Sequence, residues 1–332
     1  MTAIVTPPAD AWYPVAIASD VRDRPLARRL LGRPLVVFRA GDRIGVLADR
    51  CPHRGFPLSD GRSGPDGVQC PYHGWRFGPD GRCIATPGAS RPAGATAEAV
   101  SSVVRDGLVW ASLAPTTPAP KALPKPFGEA GQDAFWWSLA ASRAHWIDAI
   151  ENLLDPAHPH FIHPGLVRSA ARRRPVRVTV NQAEDWVEAL YDEDNRTPAL
   201  LPRLIEGLRT RSIGRFFPPA TGQIAFDGPH GPRLTVTVVF TPESEDMVRP
   251  FAHFSTPRGM LPADLKRAVL KLVHVPILAQ DRKALARQAE ALRGQPPLPP
   301  VIGPLDVLRP AIDELVRGGR LKPGVRQHQL DL

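Results

Sequence analysis

Residues 51–61 read CPHRGFPLSDG and residues 70–77 read CPYHGWRF. Each stretch pairs one cysteine with one histidine, as Cys51-X-His53 and Cys70-X-X-His73, and sixteen residues separate His53 from Cys70. Two short loops of this kind can clamp a small metal centre from both sides. A structural zinc site uses the same side chains, but zinc fingers usually group cysteine with cysteine and histidine with histidine. Here each loop carries one of each. That mixed pairing suits a [2Fe–2S] cluster with two thiolates on one iron and two neutral imidazoles on the other. Gly55 and Gly74 permit the sharp turns that follow. Pro52 and Pro71 fix φ and remove backbone donors. Trp75 and Phe77 are placed to keep water from such a cluster.

A second pattern lies at residues 151–163, ENLLDPAHPHFIH. A non-heme Fe(II) that activates O₂ uses two histidines and one carboxylate on one face, with open positions left for O₂ and substrate. His158 and His163 are the natural imidazoles. On a regular helix of about 3.6 residues per turn, Asp155 and His158 share a face and His163 points away. The helix that begins as WIDAIENLL must therefore loosen, and Pro159 and Pro164 are placed to loosen it. His160 falls outside the pattern and is expected behind the site or at the surface. A helix is also expected over ILAQDRKALARQAEALRG, a run rich in helix formers.

At 332 residues, two domains are the default, and 43% apolar content suffices for ordinary cores. No apolar run approaches the ~18 residues that span a bilayer. The N-terminal MTAIVTPPADAWYP lacks the basic and apolar regions of a signal peptide. Three cysteines, two of them committed to a cluster, point to a reducing compartment and a cytoplasmic location. Cys83, the spare one, is expected to be a small buried or partly exposed thiol. The net charge is +9, with basic clusters at residues 22–33 and 171–174. No nucleic-acid recognition motif accompanies that charge. It suits a solvated surface, or a rim that steers an acidic electron donor. No Gly-rich dinucleotide fingerprint follows a strand, so FAD and NAD sites are not expected and electrons must come from outside.

Along the chain, PLVVFRA, RIGVLAD, VSSVVRD and LVWASLA are short apolar runs separated by Gly and Asp turns, an all-β pattern. Residues 39–43 are expected to form a hairpin turn, and Trp110 to pack in the core. We expect a first domain at 1–118, a Pro-rich linker at 119–126 and a second domain at 127–332. In the second, RPVRVTVN, DWVEALYDE, QIAFDG, RLTVTVVFTPE and MVRPFAHFST alternate as antiparallel strands, flanked by helices near 145–158 and 262–294. Pro276 is expected to kink the last helix. On the strand MVRPFAHFST, Arg249, Phe251 and His253 share one face. Arg249 there could grip an anionic group such as an aromatic carboxylate, or stand solvated. The Pro-rich segment 295–304 starts a tail to which the sequence assigns no role.

The two cluster stretches resemble the Rieske domain of the Rieske non-heme iron oxygenases, and ENLLDPAHPHFIH resembles the mononuclear-iron motif of the same family. They resemble the cytochrome bc-type Rieske proteins less, because the cysteines for a disulfide between the cluster loops are missing. The resemblance implies an α+β fold: an N-terminal all-β Rieske [2Fe–2S] domain and a C-terminal helix-grip catalytic domain in which an antiparallel sheet wraps a long helix. It implies cluster ligation by Cys51, His53, Cys70 and His73, and mononuclear iron ligation by His158, His163 and Asp281, with Glu290 and Glu151 as weaker rivals for the carboxylate. It implies that Asp155 is not a ligand but links His158 to His73 of an adjacent chain, which requires a ring oligomer, commonly a homotrimer. Asn152 matches a position that faces the iron, and the strand around Arg249, Phe251 and His253 matches a pocket strand.

The chain length is similar to that of the single-subunit-type demethylating monooxygenases, the vanillate O-demethylase and dicamba monooxygenase type. The implied function is a terminal oxygenase that takes electrons from a separate reductase or ferredoxin and uses O₂ to hydroxylate or O- or N-demethylate an aromatic or related small molecule, as in aromatic compound catabolism. The alternatives are a ring-hydroxylating dioxygenase forming a cis-diol and a Rieske electron-transfer protein without catalysis.

Overall fold

The computed structural model describes residues 5–117, 119–164, 175–192, 209–229, 231–259, 261–295 and 301–332. The basic run at residues 171–174 lies outside them. The chain divides into two compact units. One takes Pro8–Leu123 with Thr241–Glu245; the other takes Pro124–Phe240 and Asp246–Leu332, with residues 5–7.

The first unit is all β. Its strands are β1 (Tyr13–Ile17), β2 (Leu26–Leu30), β3 (Arg33–Ala40), β4 (Arg43–Ala48), β5 (Arg62–Ser63), β6 (Val68–Gln69), β7 (Arg76–Phe77), β8 (Cys83–Ala85), β9 (Ser101–Arg105) and β10 (Leu108–Ser112). They form three antiparallel sheets, ordered β1-β10-β9, β2-β3-β4 and β5-β6-β7-β8. The apolar runs become β3, β4, β9 and β10, as their composition predicts. The expected hairpin joins β3 to β4, and its Gly41 takes a φ of +60°, a conformation that costs glycine nothing. Val36, Phe38, Leu47, Leu58, Val68 and Phe77 form one core cluster together with Cys51, Cys70 and Cys83. The candidate ligand thiols thus sit at the edge of a packed interior. Trp110 is buried, and its indole N–H donates to the Arg105 carbonyl at 3.1 Å.

The second unit is α+β. Its sheet holds β11 (Gln132–Ser138), β12 (Ser142–Arg143), β13 (Pro175–Gln182), β14 (Val187–Asp192), β15 (Arg211–Phe217), β16 (Thr221–Gly228), β17 (Gly231–Ser244), β18 (Met247–Pro257) and β19 (Gly324–Asp331). The order is β11-β18-β17-β16-β15-β14-β13-β19, with β12 also on β18. Helix α1 (Trp146–Leu154) buries Trp146, Ile147, Ile150 and Leu154, residues spaced to line one helical face. A glycine lets it approach the sheet: a Cβ on Gly222 of β16 would lie 2.7 Å from Leu153 Cδ2. A short helix α2 (Pro159–Ile162) follows, then α3 (Ala263–Leu292) and α4 (Arg309–Val316). Helix α3 runs uninterrupted through Pro276. No helix among the described residues is long and apolar enough to cross a membrane.

The tail that the sequence leaves unassigned holds α4, which buries Ala311, Ile312, Leu315 and Val316, and β19, which pairs with β13. One expectation needs correction: the helix over residues 145–158 is shorter and ends at Leu154. Pro156 causes this, because the residue before a proline is driven out of the α region. Asp155 is accordingly extended, at φ −74° and ψ 121°. Pro159, expected to loosen the helix, instead opens α2 at a first-turn position, where its missing N–H costs nothing.

Candidate metal centres

The two cysteine–histidine loops are the same turn built twice. Cys51 N–H donates to Phe56 O at 2.8 Å, and Gly55 N–H donates back to Cys51 O at 2.8 Å. In the second loop Cys70 N–H donates to Trp75 O at 2.8 Å, and Gly74 N–H to Cys70 O at 3.0 Å. Gly55 and Gly74 take φ values of +71° and +72°. The second loop is the turn of the β6–β7 hairpin, where Gln69 pairs with Arg76.

The loops bring their histidines together. The His53 and His73 rings lie 4.6 Å apart between centroids, edge to face. Trp75 stacks flat on His53, with centroids 4.5 Å apart and planes within 2°. Tyr72 lies against His73 at 3.9 Å. Both cysteines are unbridged and buried. Burial, together with the neighbouring Cys70 thiol, raises the Cys51 pKa despite amide donation from His53 and Arg54. Desolvation, then the nearby His73 and Arg54 charges, lowers that of His53, so its imidazole stays neutral as a ligand must. His53 Nδ1 is buried and, among the described residues, has no hydrogen-bond partner. Two thiols, two imidazoles and one orphaned ring nitrogen fit a [2Fe–2S] cluster with mixed ligands. Cys83 is buried, with its sulfur 3.5 Å from Ala85 O.

The second site is built where α1 breaks. The Asp155 carboxylate accepts the backbone N–H of Ala157 at 2.7 Å and of His158 at 3.2 Å, closing the turn. Burial pushes its pKa up, but His158 and these amides hold it below the ordinary carboxylate value. His158 Nδ1 lies 3.0 Å from the Asp155 carbonyl oxygen and 3.6 Å from the carboxylate, so the backbone holds the ring. His163 follows α2 and is 1% exposed. Asp281 projects from α3 between them. Its Oδ1 lies 2.9 Å from His163 Nε2 and 3.5 Å from His158 Nε2, and accepts a bond from Asn152 Nδ2 at 3.4 Å. One ligand atom from each of His158, His163 and Asp281 lies within 4.8 Å of the others. His163 Nε2 is buried and faces the Asp281 carboxylate. Desolvation lowers the His163 pKa, yet Asp281 and Gln280 outweigh it and leave it raised. Two imidazoles and one carboxylate converging on a point fit a single Fe(II).

The rival carboxylates are engaged elsewhere. Glu290 pairs with Arg143 at 2.9 Å, and Glu151 with Arg309. His160 is 5% exposed, so it is a buried residue and not a surface one.

On β18, Phe251 and His253 are buried, while Arg249 donates to the Leu139 carbonyl at 3.3 Å. His253 sits between Phe127 at 4.7 Å and Trp136 at 4.9 Å, and burial lowers its pKa to about 4. Sequence reading missed Phe127 and also Trp136, which stands on β11 directly opposite His253 of β18. It also missed Gln280, whose Oε1 lies 2.7 Å from His163 Nδ1.

Residues 11–104 match the family model for the Rieske [2Fe-2S] domain, and residues 142–308 match that for the vanillate O-demethylase oxygenase C-terminal domain. The chain is 33% identical to the oxygenase component of dicamba O-demethylase from Stenotrophomonas maltophilia, over 60% of this chain and 61% of that protein. It is 30% identical to the methylxanthine N1-demethylase NdmA of Pseudomonas putida, over 58% of each. It is 31% identical to the oxygenase subunit of phthalate 4,5-dioxygenase from Pseudomonas putida, over 46% of this chain and 36% of that one. These matches thus span about three-fifths or less of the relatives' own length. Among solved structures, dicamba monooxygenase bound to dicamba superposes with a TM-score of 0.79 at 22% identity, covering 94% of this chain and 98% of that one. NdmA with caffeine superposes at 0.75 and 21% identity, covering 93% and 90%. Both share the fold.

Proposed function

The chain belongs to the family that joins a Rieske [2Fe–2S] domain to a vanillate O-demethylase-type oxygenase domain, and we propose that it is the terminal oxygenase of a multicomponent system. The observation that carries this is that one chain holds both ligand sets: Cys51, His53, Cys70 and His73 in one unit, and His158, His163 and Asp281 in the other. A Rieske electron carrier has no use for the second set.

When bound, the cluster supplies single electrons and the mononuclear iron supplies O₂ activation. The protein's own residues do the rest. Asp281 and the two histidines would hold the metal. Asn152 donates to Asp281 and orients its carboxylate. His73 stands exposed at its loop tip, which supports contact with a second copy of the chain. In a homotrimer, Asp155 of one copy would then lie between its own His158 and the neighbour's His73. A separate reductase or ferredoxin delivers electrons, and the excess of basic residues favours an acidic one.

The reaction proposed is oxidative removal of an O- or N-methyl group from an aromatic or related small molecule. For a methoxy group, R–O–CH₃, O₂, two electrons and two protons give R–OH, formaldehyde and water. The names of the dicamba and methylxanthine demethylating relatives support this reading. His253, neutral between Phe127 and Trp136, suits an uncharged hydrogen bond to a planar substrate beside aromatic surface. Arg249 and Phe251 share its strand face. A second reading, ring dihydroxylation to a cis-diol, is favoured by the relative named phthalate 4,5-dioxygenase.

The test is product analysis with purified protein, a surrogate reductase, NADH and O₂, over methoxylated, N-methylated and unsubstituted aromatic acids. Formaldehyde in step with a demethylated product is the expected result. A diol without formaldehyde moves the assignment to the dioxygenase branch. A cluster that is reduced while no mononuclear iron binds overturns the oxygenase reading.

A further inference from the structure

Helix α3 grips one imidazole at both of its nitrogens with two consecutive residues. Asp281 Oδ1 lies 2.9 Å from His163 Nε2, and Gln280 Oε1 lies 2.7 Å from His163 Nδ1. The ring is 1% exposed, so water has little access to either nitrogen. His158, by contrast, is held at Nδ1 by the backbone carbonyl of Asp155, three residues away on its own turn. The two histidines are therefore oriented by unrelated means, one local and one that depends on a residue 117 positions later in the chain.

We propose that Gln280 is the positioning residue that makes His163 a metal ligand through Nε2. An amide oxygen can only accept, so the ring nitrogen facing it must carry the proton. With the proton on Nδ1, the Nε2 lone pair is free and points at the space shared with Asp281 and His158 Nε2. Outer hydrogen bonds of this kind fix tautomer and ring orientation and raise ligand basicity, and losing one typically weakens metal binding about 10- to 100-fold. A glutamine achieves this without charge. Asp281 would then be the one carboxylate of the ligand set, so a bound divalent ion would keep net positive charge.

This inference rests on reading His158, His163 and Asp281 as the mononuclear ligands. The test uses the full chain with its cluster loaded and the mononuclear site emptied by chelation, titrated anaerobically with Co(II). Gln280→Leu removes the acceptor and Gln280→Glu keeps an acceptor oxygen in place. Binding is followed by ligand-field absorption, and the Nδ1–H by its paramagnetically shifted exchangeable proton resonance. We expect Co(II) affinity to fall about tenfold or more in Gln280→Leu, with the shifted resonance lost and the cluster absorbance unchanged. Gln280→Glu should stay within about threefold of wild type and retain the resonance, a rescue that a merely space-filling role would not give. Wild-type affinity and an unchanged resonance in Gln280→Leu would overturn the role of Gln280 and leave the metal site standing. Failure of the wild-type protein itself to bind Co(II) would overturn the metal-site reading and this inference with it.

Discussion

His253 should make the protein acid-sensitive in a defined window. Burial is the only cause that lowers its pKa, from 6.5 to about 4, and the residue is 6% exposed, so solvent screening is slight. The unfolded chain therefore binds a proton between these two values that the folded chain refuses, and stability falls as pH falls through them. It is complete above the unfolded value of 6.5 and stops changing below about 4. One pKa unit corresponds to about 1.4 kcal/mol, so the whole interval is worth about 3 kcal/mol, of which about 2 kcal/mol is lost by about pH 5.

The perturbation is His253→Phe, an apolar ring in an aromatic slot between Phe127 and Trp136. The assay is denaturant unfolding of both proteins at about pH 8 and about pH 5, followed by tryptophan fluorescence. Other titrating groups are common to both proteins, so they cancel in the double difference. The wild type should lose about 2 kcal/mol more than the variant over that interval. Equal losses, or an NMR titration of His253 centred above about pH 6, would refute the argument that desolvation sets its charge state.

Asp281→Ala should reduce the iron content to that of the cluster alone, with the visible spectrum of the cluster intact; metal analysis after anaerobic reconstitution checks this. Gly61→Ala places a Cβ 2.0 Å from the Gln69 carbonyl oxygen, backbone that immediately precedes Cys70. It should cost about 3 kcal/mol and show as bleaching of the cluster at lower denaturant concentration. Arg309→Met removes the cation that pairs Glu151 and lies 2.9 Å from Asp313, leaving two half-buried carboxylates beside the iron-motif helix without it. Burial already raises the Glu151 pKa against the opposing pull of Arg309. The variant should lose about 2–3 kcal/mol at neutral pH, at the low end because Glu151 is partly exposed. Its calorimetric Tm should draw closer to wild type in acid, where Glu151 is protonated.

The sequence exposed the parts of each site that chemistry holds to a fixed spacing. Cys51, His53, Cys70 and His73 must be few residues apart to share a cluster, so the loops are visible as strings of letters, and the two glycines mark where φ turns positive. The iron motif was legible in its histidines but not in its backbone. Pro159 drew attention because it stands between the two histidines, yet Pro156 ends the helix by acting on Asp155, and Pro159 serves as a helix start. Proline identity gives the place of a break only when the direction of its effect is respected: it restricts the residue before it and tolerates a helix after it. Gln280 was invisible for another reason. It is one neutral residue on a polar helix, and only the packing of α2 against α3 makes it a neighbour of residue 163. Strand β19 was missed because only Leu330 of its residues is buried, which gives no alternation to read.

The far face of the large sheet shows why alternation alone misleads. Gly222 faces α1, so Gln223, the next residue along the strand, points to the opposite face. A polar residue there reads as solvated, yet Gln223 is 0% exposed. Its partners explain this. Asn181 Nδ2 donates to Glu188 Oε1 at 2.8 Å, Arg215 Nε to Glu188 Oε2 at 2.7 Å, Arg215 Nη1 to Gln223 Oε1 at 3.0 Å, and Gln223 Nε2 to Thr237 Oγ1 and Lys125 O, both at 2.9 Å. Each of these side chains stands directly opposite the next in register, across β13, β14, β15, β16 and β17. One acid, one base and three neutral groups thus satisfy one another in a continuous cross-strand chain, and each link constrains the register of one strand pair. A one-residue slip in any pair would break the link that spans it, and a slip of β16 against β15 would also turn Gly222 away from α1. The polar ladder and the glycine face are therefore two sides of one constraint. The same register that satisfies Gln223 on the far face opens the space that seats the iron-motif helix on the near one.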